Sequence, residues 1–487
     1  MAWGPYLLLV AILTAAYLPP ALGTYAWSDD YSYLTQTSTP GSQDLRNHLF
    51  GDARPGLYLL IETSFAALDG RVEGLRWLRV LALLGLILAA SLLLRILPIP
   101  TPLNKWVLSV ALGLGFLTPS FQMYIHWATA WPYSWSILLG LIAWLLWERA
   151  GLTRRVLAVI LLAFAISIYP VSALLFLAAI SVRAVLAATS SGDLIRILKS
   201  NSLLAGAGTA LWFLLARLLV NHTETTLSEK VSPINSLTDP MGQFVWFATR
   251  HVGLSLRPML VSSPEIIEMA VAGAIVLLII VAFLRVTSIS DSRPNFRVAI
   301  LLLLPLLSIA PLVVAPQQVD HRFIPGPSWF VVVTLTLAIF WGSKRLWESK
   351  VTTHTIYSEV LGAAFVAGVI AFCVWTTWER NDWLMTTPYL EKNVWLESQL
   401  ADCDSLKEIA VIPATRPGPK YANVGAYSEV TDMSQSWVVL PSVRVVIKGS
   451  ASPESAAVTF AKPDTLMARC TLDVNDFLKE QEVQMGK

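Results

Sequence analysis

An acidic pair follows the first long apolar segment of the chain, in the context Trp27-Ser28-Asp29-Asp30-Tyr31. Ionised carboxylates are costly to bury near hydrocarbon, and those that occur there are often functional. Two neighbouring carboxylates suit a general base, or the ligands of a cation or of a phosphate-bound metal. A local alternative is that Ser28 caps a short interfacial helix, in whose first turn the helix dipole favours negative charge. The two interpretations are compatible, so both stay open.

Two adjacent carboxylates at a low-dielectric edge cannot both ionise without cost. The pKa of one of them is therefore expected to rise toward the working range of a base. Asp30 is slightly favoured as the base, because Asp29 stands beside Ser28 and is better placed to serve the helix start. The other aspartate would then orient the base or an acceptor hydroxyl.

The composition of the chain defines the environment in which this pair must work. Of the 487 residues, 55% are hydrophobic and only 14% are charged, whereas a soluble domain carries roughly 25% charged residues. Long apolar segments in such a chain indicate membrane-spanning helices, so the lipid bilayer is an expected partner. The formal net charge of +2 argues against nucleic acid as a partner.

Apolar segments of membrane length predict about eleven spans. They are residues 4–22, 76–96, 105–121, 131–147, 154–169, 170–188, 200–219, 265–285, 298–315, 326–342 and 356–378. The segment 55–68 is short and contains Glu62, so we expect an interfacial or re-entrant helix there rather than a span.

The distribution of Lys and Arg sets the orientation of these spans. With the N-terminus in the cytoplasm and 55–68 not crossing, each short cytoplasmic loop carries Lys or Arg and the short outer loops carry few, which is the positive-inside pattern. Letting 55–68 cross would invert every later loop and break the pattern. The chain then divides into a transmembrane domain at 1–379, with a long first outer loop at 23–75, and an outer soluble domain at 380–487.

The C-terminal tail is expected to fold as a small domain. A predicted helix at 388–402 is followed by apolar runs separated by Pro, Gly and Ser, at 408–413, 437–447 and 456–461. Cys403 and Cys470 both lie in this tail, where an oxidising compartment would allow a disulfide between them. The predicted fold class is thus an all-α polytopic membrane protein with a small α+β extracytoplasmic C-terminal domain.

This arrangement resembles the GT-C superfamily of integral-membrane glycosyltransferases. The shared features are a first helix from a cytoplasmic N-terminus, a long first outer loop that opens with an acidic pair, interfacial helices in that loop, many spans and a soluble outer C-terminal domain. The acidic segment 27–31, followed by Arg54-Pro55 at the start of an apolar helix, is most similar to the bacterial branch that includes O-antigen glucosyltransferase-type enzymes. The resemblance covers the architecture of the whole chain, and its residue-level support is the acidic pair and Arg54-Pro55.

The resemblance implies a donor, an activity and a catalytic residue. Such enzymes move a sugar from a polyprenyl-phosphate-linked donor on the non-cytoplasmic face of the membrane. For this chain, that implies the bacterial cytoplasmic (inner) membrane, an inverting transfer, and a cell-envelope glycan, lipid or protein as acceptor. The family's proposed catalytic base lies in the acidic pair, a role that maps onto Asp29 or Asp30. We expect no cofactor, and a divalent cation held by these two aspartates ranks below the metal-free arrangement.

A lipid phosphate as leaving group requires cationic hydrogen-bond donors at the same membrane face. The candidates are Arg54, His126, Arg217, Arg250, His251, His321 and Arg322. Arg322 with His321 is favoured, because both lie in a very short outer loop that holds their side chains at the headgroup level. The alternatives are that Arg322 snorkels and pairs with a neighbouring aspartate, that Arg54 pairs with Asp52, and that Arg217 snorkels from its span.

An aromatic cluster lies at one outer interface, formed by Tyr124, His126, Trp127, Trp131, Tyr133 and Trp135. Aromatic belts are routine at membrane interfaces, and a sugar-stacking platform or the wall of a lipid groove is the alternative. No His/Cys pattern has metal-ligand spacing, and no Gly-rich phosphate loop is present in the sequence.

A transporter or flippase of a lipid-linked glycan is the competing function. Transporters place polar residues at mid-membrane, often on helices broken in corresponding halves. Here the mid-span positions are apolar and the ionisable groups gather at the outer face, which favours the enzyme. An envelope polymerase or ligase would share the lipid donor but need not have the acidic pair.

Overall fold

The computed structural model describes two groups of residues. Up to residue 378 they are 3–27, 29–37, 43–99, 105–149, 151–187, 191–223, 225–226, 294–309, 324–348, 367–368, 370–375 and 377–378. Beyond it they are 387–401, 403, 408–412, 443, 457–460, 470–473 and 476. The described part is mostly helical.

The helices up to residue 222 follow one another with short connections. They are α1 (Gly4–Ala21), α2 (Asp29–Thr37), α3 (Gln43–Gly51), α4 (Pro55–Ala66), α5 (Leu75–Ile96), α6 (Lys105–Gly115), α7 (Pro119–His126), α8 (Trp131–Glu148), α9 (Leu152–Ile168), α10 (Pro170–Ala173), α11 (Leu175–Leu186) and α12 (Ser191–His222). Turns of 3-10 helix precede α5 and α8, at Val72–Gly74 and Ala128–Ala130. Further along the chain are α13 (Pro294–Leu307), α14 (Pro325–Glu348) and α15 (Thr387–Ala401).

Four helical segments of the described chain are long and apolar enough to cross a membrane. They are Gly4–Ala21, Val72–Ile96, Ala128–Glu148 and Gly192–His222. The bent pair α6 and α7, with 67° between the two helices, raises the number to five if the pair is one span. Helices of this length and composition indicate a protein of the lipid bilayer.

The described residues confirm only some of the spans that the sequence predicts. The span expected at 105–121 is interrupted, because α6 ends at Gly115 and α7 begins at Pro119. Proline lacks the N–H that would continue a helix, and it is favoured at the first helical position instead. The span expected at 170–188 divides into α10 and α11. The span expected at 265–285 lies outside the described residues.

The short helix expected at 55–68 is present as α4, whose 12 residues extend about 18 Å and are too short for a hydrocarbon core of roughly 30 Å. Gly56 allows α4 to lie directly against α9. A Cβ atom at this position would come within 2.2 Å of the Ser167 hydroxyl oxygen. This contact fixes the start of α4, and with it Arg54, against the end of α9.

The described bundle is organised around α5 and α8. α5 packs against α1 and α8, α8 packs against α9, and α9 packs against α12. Gly140 brings α8 close to α10, since a Cβ atom there would lie 2.1 Å from the Ala173 carbonyl oxygen. Near this approach, Tyr133 at the start of α8 and Tyr169 just after α9 stack on each other.

The C-terminal region contains α15 and a sheet. Strands β1 (Glu408–Ile412), β2 (Ala457–Phe460) and β3 (Cys470–Asp473) lie in the order β2-β1-β3, and both pairings are parallel. The expected helix and two of the three expected apolar strands are present, whereas the run at 437–447 lies almost entirely outside the described residues. Cys403 is disulfide-bonded, whereas Cys373 forms no disulfide. The predicted partner Cys470 begins β3, and its side chain lies outside the description.

Candidate functional site

Asp30 is fully buried at the start of α2. Its carboxylate accepts backbone N–H groups from Trp27 at 2.9 Å, Ala128 at 3.3 Å and Thr129 at 2.8 Å. The N–H of Asp30 donates in turn to the Trp27 backbone carbonyl at 2.8 Å, so the two residues close the first turn reciprocally, and the bond from the Trp27 N–H to the carboxylate matches one half of a capping box. The carboxylate thereby joins the start of α2 to the 3-10 turn that precedes α8.

Arg79, one turn inside α5, is the charged neighbour of Asp30. Its guanidinium lies 3.9 Å from the Asp30 carboxylate, and both side chains are fully buried. The guanidinium also donates to the carbonyls of His126 and Gly23, each at 2.9 Å, and to that of Tyr25. It lies 3.6 Å from the centroid of the Tyr25 ring. Arg79 thus satisfies carbonyls from two loops and supplies a positive charge beside the carboxylate.

The pKa of Asp30 reflects its burial. Loss of solvent raises the pKa of this carboxyl from 3.8 to about 7, against the lowering effects of Arg79 and the three backbone amides. The rise expected for one member of the acidic pair is therefore found at Asp30. Burial is its main cause, rather than the repulsion between adjacent carboxylates on which the expectation rested.

His126, a predicted phosphate ligand, belongs to the same buried environment. Its side chain is fully buried, and its Nδ1 atom lies 2.9 Å from the Tyr25 hydroxyl oxygen. We call Tyr25, Asp30, Arg79 and His126 the inner network. In this position His126 links the end of α7 to the segment between α1 and α2.

Asp29 occupies a different environment, because its side chain is only partly buried. Tyr33, one turn further along α2, interacts electrostatically with Asp29, Tyr133, Arg54 and Asp52. Burial raises the pKa of the Tyr33 hydroxyl well above 10.0, the charge of Asp29 adds to the rise, and Arg54 opposes it. We call these five residues the outer cluster. Asp29 and Arg54 therefore both lie within electrostatic range of Tyr33.

Aromatic rings support Arg54 within the outer cluster. Its guanidinium lies 5.4 Å from the centroid of the Tyr169 ring, which is within the range of a cation–π contact. Tyr169 is stacked on Tyr133, with ring centroids 3.8 Å apart and planes 4° apart. Tyr124 meets both rings edge-on, and its hydroxyl accepts a hydrogen bond from Ser172. The cluster therefore combines a carboxylate and a guanidinium with flat aromatic surfaces.

The turn between α3 and α4 determines where Arg54 lies. The N–H of Arg54 donates to the Leu49 carbonyl at 2.8 Å and that of Ala53 to the Phe50 carbonyl at 2.9 Å, which is the hydrogen-bond pattern of a Schellman motif. Ala53 takes the left-handed position with φ of 56°, where glycine is usual. The Trp212 indole N–H donates to the Ala53 carbonyl at 2.8 Å. α12 thus holds the strained turn in place.

The predicted aromatic cluster divides between several roles. The Trp131 indole N–H donates to the Ser64 hydroxyl at 3.2 Å, and the Trp135 indole N–H donates to the Leu81 carbonyl at 3.0 Å. These contacts hold α8 against α4 and α5. Only Tyr133, from the predicted cluster, is a member of the outer cluster.

The remaining predicted phosphate ligands are not brought into the outer cluster by the described residues. Arg217 is exposed on α12, with its guanidinium 5.5 Å from the centroid of the Phe213 ring, as expected for the snorkelling alternative. His321 and Arg322 lie outside the described residues, and the same is true of Arg250 and His251.

Sequence reasoning did not select Arg79, Tyr33 or Tyr169. A signal for Arg79 was available, because an ionisable residue inside a predicted span is a functional hypothesis by default. Tyr33 and Tyr169 had no comparable signal, since a tyrosine near a membrane interface is ordinary. Within the described ranges, no group of three or more His, Cys, Asp or Glu residues is arranged to hold a metal ion. No protein-family model matches the chain, and no curated protein matches it in sequence.

Proposed function

We propose that this chain is an integral-membrane glycosyltransferase that moves a sugar from a polyprenyl-phosphate donor to a cell-envelope acceptor on the non-cytoplasmic face. The observation that supports it best is the outer cluster. A partly exposed carboxylate, Asp29, and a guanidinium, Arg54, share the neighbour Tyr33 in the first outer loop. Transfer from a lipid phosphate needs both a base for the acceptor and a cation for the leaving group.

In this proposal Asp29 is the general base. It accepts the proton of an acceptor hydroxyl, and the acceptor oxygen attacks the anomeric carbon of the donor from the face opposite the phosphate. The bond between that carbon and the phosphate oxygen breaks, its electron pair leaves with the phosphate, and the anomeric configuration is inverted. Arg54 offers two parallel N–H donors to the departing phosphate. Arg322 and His321 remain proposed contributors to phosphate binding.

Asp30 has a positioning role in this proposal, which reverses the order of preference derived from the sequence. A pKa near 7 would suit a base, but a base must also reach the proton that it removes, and reach is the first requirement. The Asp30 carboxylate is buried and engaged by three backbone amides and Arg79. Asp29 combines partial exposure with a cation in the same cluster.

The proposed setting is the bacterial cytoplasmic membrane, with eleven spans by the sequence count, a cytoplasmic N-terminus and an outer C-terminal domain. The disulfide at Cys403 supports an oxidising environment for that domain. A reporter fused after Lys487 should be active only when the reporter needs the non-cytoplasmic side. Activity of a strictly cytoplasmic reporter at that position would contradict the topology and with it the enzyme proposal.

The test of function is donor consumption by the purified full chain in lipid nanodiscs. Undecaprenyl phosphate carrying different hexoses would be supplied with envelope glycan extract, and release of undecaprenyl phosphate would be measured by mass. We expect release with at least one donor and its loss in Asp29→Asn. Asp44→Asn is the matched control, because Asp44 is an exposed acid of the same loop, on α3. Failure of every donor with correctly folded protein would contradict the proposal.

A flippase of a lipid-linked glycan is the second candidate. The observation that favours it is the break of 67° between α6 and α7, since transporters often build their sites at broken helices. In sealed vesicles a flippase would relocate the donor across the bilayer without releasing undecaprenyl phosphate. The same donor panel therefore distinguishes the two functions.

A further inference from the structure

A contact between two described residues joins the C-terminal region to the acidic segment. The Lys392 ammonium, on α15, lies 4.1 Å from the centroid of the Tyr31 ring, on α2. Tyr31 follows Asp30 directly and is fully buried, and Lys392 is only 4% exposed. A residue of the proposed outer domain is thus buried against the helix that carries both aspartates.

The orientation of α15 indicates that this contact is part of a packed face. Trp395, Leu396 and Leu400 are buried, at three, four and eight positions after Lys392, which is the spacing of one helix face. Val394, on another side of the helix, is 65% exposed. Lys392 therefore points inward with the apolar residues rather than snorkelling to water.

Burying the ammonium of Lys392 has an energetic cost that its surroundings must offset. Taking an ammonium out of water is unfavourable, and burial lowers the pKa of Lys392 to about 7. An apolar side chain such as methionine would fill the same volume without that cost. The face of an aromatic ring attracts a cation, most strongly when the pair is desolvated. The Tyr31 ring supplies such a face, and a contact of this kind fixes one relative position of the two helices.

We propose that α15 is a docking helix for the acidic segment, and that Lys392 is a positioning residue that holds α2, and so Asp29, through the ring of Tyr31. Lys392 acts through Tyr31 and touches no reacting atom. The proposal depends on the glycosyltransferase activity only for its turnover measurement. The docking itself is a property of the folded chain without donor.

Amide hydrogen exchange of residues 29–37 in the full chain tests the docking without any substrate. Lys392→Met keeps the apolar stem and removes the charge, and we expect it to speed exchange in α2 by roughly 3- to 30-fold. Lys392→Arg keeps a cation and should restore most of the protection. Val394→Ala, an exposed substitution on the same helix, should exchange like the parent chain.

Substitutions of Tyr31, the other residue of the contact, test the same docking. Tyr31→Phe keeps the ring and should behave like the parent, whereas Tyr31→Leu should speed exchange as Lys392→Met does. Combining Tyr31→Leu with Lys392→Met should speed exchange in α2 little beyond either single substitution, because both remove the same contact. Parent-like exchange in Lys392→Met would overturn the proposal. Equal acceleration in α5, which would indicate general loosening, would overturn it as well.

Turnover measurements then distinguish a positioning role of Lys392 from a purely structural contact. With a donor that the parent chain uses, Lys392→Met should lower kcat by roughly 3- to 30-fold, leave the donor KM nearly unchanged and be rescued by Lys392→Arg. Faster exchange with unchanged kcat would reduce Lys392 to a structural contact and overturn its positioning role. If no donor is consumed by the parent, the sugar-transfer proposal fails, and the exchange result still decides the docking.

Discussion

Asp29 and Asp30 are adjacent in the chain and lie in opposite environments. The inner network surrounds Asp30 with backbone amides, Arg79 and the Tyr25–His126 pair, and leaves it no exposed surface. The outer cluster leaves Asp29 partly exposed, within electrostatic range of Tyr33. Adjacent residues of a helix point in different directions, about 100° apart, so one turn of helix can place one carboxylate in the fold and the other at the surface.

The comparison separates two uses of negative charge. A carboxylate that accepts several backbone N–H groups organises the loops that provide them, and Asp30 does so for the start of α2 and the turn before α8. A carboxylate that meets solvent beside a cation is available for proton transfer. In the proposed enzyme, the inner network would be the rigid support of Asp29, as expected for functional groups held by a second layer of contacts.

The largest effect should follow from breaking the inner network at Arg79. Arg79→Met leaves the buried Asp30 carboxylate without its countercharge and three carbonyls without their donor, and we expect it to lower the free energy of unfolding by about 3–5 kcal/mol. Unfolding of the full chain in mixed detergent micelles measures this. Arg71→Met, which removes an exposed cation shortly before α5, should change stability by less than about 0.5 kcal/mol. Equal stability of the two variants would mean that the inner network is not structural.

The next effect distinguishes the two aspartates directly. Asp29→Asn removes the proposed proton acceptor and keeps the side-chain size, so we expect turnover to fall by roughly 100-fold or more with donor binding retained. Asp30→Asn should lose less turnover and more stability, because an amide N–H₂ would face backbone N–H donors. Turnover, donor affinity and unfolding would be measured on both variants. The reverse pattern would return the role of base to Asp30.

Sequence reasoning located the acidic pair, the short helix at α4 and the helix at α15, because each has a local signal. The pair follows an apolar segment, α4 begins with Arg54-Pro55, and α15 has helical periodicity. No local sequence pattern indicated which aspartate of the pair would be buried and which would be partly exposed. Ser28 suggested that Asp29 would serve the helix start, whereas Asp30 accepts the N–H of Trp27. Which carboxylate is buried depends on loops distant in sequence, such as the turn at Ala128–Ala130.

The expected spans depended on hydropathy, which measures composition and not continuity. Hydropathy is insensitive to a single proline, so it predicts one span at 105–121. In the structure, Pro119 starts a new helix after a bend of 67°. The contact between Lys392 and Tyr31 could not be predicted for a related reason. It joins residues separated by most of the chain, and no pattern in a single sequence pairs one buried lysine with one tyrosine.

A smaller effect is expected from weakening the outer cluster at Arg54. Arg54→Ala removes the guanidinium proposed to bind the phosphate of the sugar donor. We therefore expect the KM for the sugar donor to rise by roughly 10- to 100-fold, the range for a hydrogen bond to a charged group. Arg54→Lys should recover only part, since an ammonium cannot make two parallel bonds to phosphate. Arg71→Ala is the matched control. An unchanged KM in Arg54→Ala would assign Arg54 to packing on Tyr169 and remove the cation from the proposed site.

The smallest effect concerns the turn that presents Arg54. Ala53 has φ of 56°, a conformation that strains any residue with a Cβ atom, so Ala53→Gly should raise the free energy of unfolding by about 0.5–1 kcal/mol. Ala66→Gly is the contrasting control, because Ala66 is an exposed helical residue at the end of α4 and glycine there should lower stability by up to about 1 kcal/mol. Opposite signs in detergent unfolding would establish that the outer cluster is attached through a strained turn. The hydrogen bond from Trp212 should keep the turn in place, so Ala53→Gly should leave the KM for the sugar donor within about twofold. A large rise in this KM without loss of stability would mean that the alanine itself restricts Arg54.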